Sequence, residues 1–136
     1  MYVAKLLLLV LFGMVLLNSA RTHADEFSTT DAEKGVVNRF LLMGMDGMRD
    51  QMIRSGTPEE EVDHAIQTAL ETYASCYIKV ATEQARAQNL DHEVVLKFIA
   101  GRPIEAGEQQ TIVDLDMEAL RLRNASCQKK FLRDTR

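Results

Sequence analysis

Apolar residues recur along this chain at steps of three and four, the spacing that places them on one face of a helix. Val36, Val37, Phe40, Leu41, Met45, Met48 and Met52 form one such stripe and predict a helix over about 30–55. Thr30 followed by Glu33 has capping-box form, and Gly56 is a natural stop. A longer stripe of Val62, Ile66, Ala69, Tyr73 and Val80, flanked by Leu70 and Tyr77, predicts a second helix over about 57–88. Thr57 is its expected cap, Pro58 its first helical residue and Glu60 the partner in a capping box. Glu59, Glu60 and Glu61 stand at the positive end of that helix dipole, as a solvated helix start favours.

Val94, Val95, Phe98 and Ile99 predict a short third helix over about 91–100, between Asp91 as cap and Gly101 as stop. Arg102-Pro103 then interrupts the chain. Val113, Met117, Leu120, Asn124, Cys127 and Phe131 form a narrow seam that predicts a fourth helix over about 105–132. Asn124 is the polar interruption in it. No stretch alternates strongly with period two, so the expectation is an all-α, compact four-helix domain. The chain has no tryptophan, which leaves aliphatic and methionine packing to dominate its core.

The first residues break the amphipathic pattern. Lys5 precedes an uncharged apolar run, Leu6 to Leu17. That run suits a signal-peptide core and falls short of the roughly 20 residues a membrane span needs. Small residues follow it, and cleavage is expected after Ala24. Residues 1–24 then read as a signal peptide and 25–136 as a single helical domain. The domain is expected to be exported, either periplasmic or secreted, with no stable membrane anchor after cleavage.

Export changes how charge and cysteine are read. Residues 25–136 hold 14 basic and 20 acidic side chains, net −6, which is not the basic balance of a nucleic-acid-binding domain. The charge is segregated: residues 121–136 carry net +5, against −11 over residues 25–120. The plainer meaning is a basic helix end that suits the dipole; the sharper one is an anionic partner or membrane surface. The only cysteines, Cys76 and Cys127, each follow Ala-Ser. On a helical wheel, each lies about 40° from the reference residue of its stripe, Val62 or Val113. Exported thiols oxidise, so a Cys76–Cys127 disulfide is expected to tie the second helix to the fourth.

Little in the chain points to catalysis. His64 and His92 sit at helix starts without a readable nucleophile and orienting group. Gly44 and Gly47 do not form a phosphate loop, which would continue into Lys-Ser/Thr. They either admit close helix packing or form a joint. Asn124-Ala125-Ser126 matches a glycosylation sequon but lies inside a helical seam. The two cysteines and two histidines of the domain lack zinc-site spacing, and no cofactor is implied. "MGMDGMRDQM" concentrates methionine, and Met45, Met48 and Met52 share a face. Such a face is an adaptable core stripe, a pliable partner-binding surface or a thioether set for cuprous copper.

In its leading segment, helical pattern and single cysteine pair, the chain resembles small exported all-helical proteins of unknown function from Gram-negative bacteria. The resemblance carries over no functional residue. The functional expectation is a non-enzymatic module that binds another protein in an inhibitor, immunity or envelope/host-interaction role. Met45, Met48, Met52, Arg121, Lys129 and Lys130 are the candidate contact residues. A small-ligand or Cu(I) carrier and an envelope stress chaperone are the alternatives.

Overall fold

A 29-residue helix forms the axis of the fold, and the other main helices lean on it. The computed structural model describes residues 27–136, so the segment read as a signal peptide lies outside the described residues. In chain order the helices are α1 (Thr29–Leu42), α2 (Asp46–Arg54), α3 (Glu59–Ala87), α4 (His92–Ile99), α5 (Gln109–Asp114) and α6 (Met117–Asp134). One turn of 3-10 helix, Ala106–Glu108, leads into α5. Among the described residues every regular element is helical, in line with the expected class. The described residues form six α-helices where the stripes predicted four.

The extra helices come from two breaks. The helix expected over 30–55 stops at Leu42 and resumes at Asp46. Between them Gly44 takes φ +85°, a left-handed conformation that other residues adopt at a cost. The helix expected over 105–132 breaks at Leu115, whose backbone is extended and whose side chain is buried. Asp116 then caps α6 by accepting the Ala119 backbone N–H at 2.9 Å. The break shifts the helical phase, so Val113 (75% exposed) and Met117 (48%) leave the expected seam. Leu120, Asn124, Cys127 and Phe131 stay in it and are buried.

Two expected caps are also corrected. Ser28, not Thr30, caps α1; its hydroxyl accepts the Asp31 backbone N–H at 3.1 Å. The box expected between Thr57 and Glu60 does not form, because Pro58 occupies the cap position and makes no side-chain cap bond. The Thr57 backbone N–H instead donates to the Met52 carbonyl and closes the end of α2. Asp91 does cap α4, accepting the Glu93 backbone N–H at 3.0 Å.

α3 is buried over a wider arc than its predicted stripe. Val62, Ile66, Ala69, Leu70 and Tyr73 are buried as expected, and so are Ala74, Ile78, Ala81 and Ala85 on the adjoining flank. At about 100° per residue the buried arc approaches half the circumference. A helix contacted by α1, α2, α4 and α6 needs that arc, and small alanines let neighbours come close. Gly35 supplies the closest approach of this kind. A Cβ there would lie 2.7 Å from the Ala100 Cβ and 2.9 Å from its carbonyl oxygen, so α1 reaches the end of α4 only with glycine at this position.

Cys76 and Cys127 are joined in a disulfide with 5.8 Å between their Cα atoms, across a sequence separation of 51. It ties the middle of α3 to α6. Beside it the Asn124 amide nitrogen donates to the Tyr73 hydroxyl at 2.9 Å, in a fully buried setting. Asn124 is therefore an internal strut between the same two helices, and its amide is not presented for glycosylation.

Candidate binding site

Phe40-Leu41-Leu42-Met43 is a run of four apolar residues at the end of α1. At about 100° per residue, four successive side chains spread over most of a helix's circumference. They cannot all face one core. Phe40 turns inward, while Leu41 is 44% exposed, Leu42 87% and Met43 70%. The break at Gly44 ends the helix there and leaves Leu42 and Met43 as an apolar rim.

A half-open groove of about 510 Å³ lies against that rim. Val36, Arg39, Phe40, Leu42 and Met43 line it from α1, Tyr73 and Tyr77 from α3, and Ile99 from α4. Its volume falls within the range usual for ligand pockets, about 300–1,000 Å³. The floor is aromatic and interlocked. Phe40 meets Tyr73 edge-on at 5.1 Å between ring centroids, and Tyr73 lies 5.8 Å from Tyr77 and 5.6 Å from Phe131. Edge-to-face and tilted rings at these distances attract through their quadrupoles as well as through buried area.

Among the described residues Arg39 is the one charged residue in the lining. Its Nη1 donates to the Ile99 carbonyl at 2.9 Å, which ties α1 to the end of α4. Its Cδ passes 2.9 Å from where a Cβ on Gly101 would stand. Among the described residues no carboxylate lies within ion-pair distance of Arg39. Burial holds the Tyr77 phenol above its ordinary value, nearby Tyr73 adds to the rise, and Arg39 opposes it. The site thus offers an apolar floor, an exposed apolar rim and one cation without a carboxylate partner. An apolar concave lining with one charged group is an arrangement suited to binding.

The residues singled out from sequence are placed elsewhere. Met52 is 4% exposed and belongs to the core; Met45 and Met48 are half-buried against it. The methionine face therefore points inward. Arg121 is exposed and paired with Glu118 at 2.6 Å, and Lys129 and Lys130 are exposed on α6. His64 and His92 are exposed. Among the described residues no three His, Cys, Asp or Glu side chains cluster as a metal site would need. Sequence reasoning missed Leu42, Met43 and Arg39, although the four-residue apolar run already held more hydrophobic surface than one helix face can bury.

No protein-family model, no curated protein and no solved structure matches the chain. The resemblance to small exported helical proteins therefore rests on the sequence pattern alone.

Proposed function

We propose that this is an exported, non-enzymatic binding protein whose groove accepts apolar side chains of a partner protein. The observation that carries the reading is the exposure of Leu42 and Met43 at the lip of an aromatic-floored groove. Each such side chain gains about 1.5–3 kcal/mol when fully buried, so a partner that covers both draws on a ready source of affinity. Arg39 adds selectivity: a carboxylate on the partner beside its apolar anchor would meet a guanidinium that has no carboxylate partner among the described residues. The disulfide supports export, because such bonds persist in oxidising compartments.

Affinity capture from the compartments into which the producing cell exports protein tests this. Wild type should retain a discrete partner, and Leu42→Asp with Met43→Asp should lose it while the thermal midpoint holds. Equal capture by the variant, or no partner for the wild type, would remove the groove as the recognition surface. The groove volume also favours a second reading, a carrier of a small apolar ligand. That reading expects a bound species in native mass spectrometry of the purified protein. The inward placement of Met45, Met48 and Met52 supports packing over copper binding.

A further inference from the structure

The structure assigns a second surface, separate from the groove: we propose that the outer face of α6 adsorbs reversibly to an anionic phospholipid surface. α6 is an 18-residue helix, about 27 Å long, with its buried seam at Leu120, Asn124, Cys127 and Phe131. Counting about 100° per residue, the direction opposite that seam passes between Leu122, Lys129 and Arg133. Arg136 continues the same line just past the helix end, and Leu132 and Lys130 flank it. Leu122 is 60% exposed and Leu132 51%, so the face is basic and apolar together.

The acidic residues of α6 leave the positive charge of this face in excess. Glu118 lies on the same face one turn before Leu122, and its charge is offset by Arg121, which donates two bonds to it at 2.6 and 2.8 Å. Asp134 lies on the flank and lines the small cleft beside the disulfide with Lys130, Cys76 and Cys127. It reaches Arg133 only at 3.7 Å. Among the described residues Lys129 and Lys130 form no ion pair. The last turns of α6, with Arg136 just beyond them, thus present four cations in one sector while residues 25–120 are strongly acidic. Near a negative surface that asymmetry turns α6 toward the charge and the acidic body away from it.

Charge alone would fit any polyanion. Leu122 and Leu132 favour a lipid surface, because exposed leucines among lysine and arginine can enter the headgroup boundary and gain nothing from a phosphodiester backbone. The helix would lie on the surface rather than cross it; no helix among the described residues is long and apolar enough to span a membrane.

Vesicle co-sedimentation tests the assignment, with equal-part phosphatidylglycerol–phosphatidylcholine vesicles against phosphatidylcholine alone. The purified protein should sediment with the anionic vesicles only and be released by high salt. Lys129→Glu with Arg133→Glu should weaken binding by about ten-fold or more, since each basic residue contributes measurably near a charged bilayer. Leu122→Ser with Leu132→Ser should weaken it too, and Leu42→Asp with Met43→Asp should leave it unchanged. Both α6 variants alter exposed positions, and retained circular dichroism and disulfide would confirm that they fold. Equal binding to both vesicle types, equal binding by the Lys129/Arg133 variant, or tighter binding to duplex DNA or polyglutamate than to anionic vesicles would overturn the proposal. None of these results would bear on the groove.

Discussion

Tyr73 serves the core, the groove and a buried polar pair at once. Its ring packs against Phe40 and Phe131, its edge borders the groove, and its hydroxyl accepts from Asn124. The pair is only half satisfied by the described residues, among which the buried Asn124 Oδ1 finds no hydrogen-bond partner. An unpaired buried acceptor costs about 1–3 kcal/mol, and a lone surviving partner costs as much. Asn124→Ala should therefore destabilise the protein by about 1–3 kcal/mol in urea unfolding, through the stranded Tyr73 hydroxyl and a new cavity. Tyr73→Phe combined with Asn124→Leu removes both polar groups and should recover most of that loss. If the double variant were as unstable as the sum of the singles, the polar pair would be contributing specific stability and the half-satisfied picture would be wrong.

The breaks between helices follow local chemistry that a helical wheel does not register. Gly44 and Gly47 lie three residues apart, and a Cβ at either would meet nothing within 4 Å. They differ in backbone alone, since only Gly44 has positive φ. Gly44→Ala should cost about 1–2 kcal/mol from the left-handed conformation. Gly47→Ala, inside α2, should stabilise by up to about 1 kcal/mol from helix propensity. Opposite signs in parallel thermal melts would establish Gly44 as the joint; equal signs would not. A second junction is electrostatic. Lys97 on α4 donates to Glu108 at 2.9 Å, and Glu108 also accepts the Glu105 backbone N–H, pinning the 3-10 turn to α4. These bonds, that of Lys97 first, hold the Glu108 carboxyl below its ordinary value of 4.5. A lowered folded-state value stabilises above pH 4.5, and this contribution fades as pH falls through the carboxylate range. Denaturation midpoints followed between about pH 6 and pH 3 should drop less for Glu108→Gln than for wild type.

For the molecule as a whole, the disulfide is the largest single restraint. It closes a separation of 51 residues between the axial helix and α6. The chain-entropy model values such a link at about 4 kcal/mol, a large share of the roughly 5–15 kcal/mol available to a domain. Cys76→Ser with Cys127→Ser should lower the unfolding free energy by about 2–5 kcal/mol while keeping the helical spectrum. A loss well under 1 kcal/mol would mean that α3 and α6 hold together through packing alone. The aromatic floor of the groove rests on Phe131 of α6, so the same variant should also loosen the groove.

The all-helical class, the extents of α3 and α4, the Asp91 cap and the cysteine pairing were all determined by the sequence itself. Each follows from strong local periodicity, a local cap or the geometry of two continuous helices. Tertiary structure decided the rest. A wheel treats a helix as unbroken, so a break at Leu115 resets the phase and moves Val113 and Met117 from core to surface. Likewise, the wheel shows that Phe40 through Met43 cannot all be buried, but not which of them find neighbours. That depended on α4 reaching Arg39 through the Ile99 carbonyl and on α3 bringing Tyr73 and Tyr77 beneath the end of α1. Burial is a property of what packs against a side chain, and those partners lie about 60 residues away along the chain for α4 and about half that for α3, beyond the reach of any local pattern.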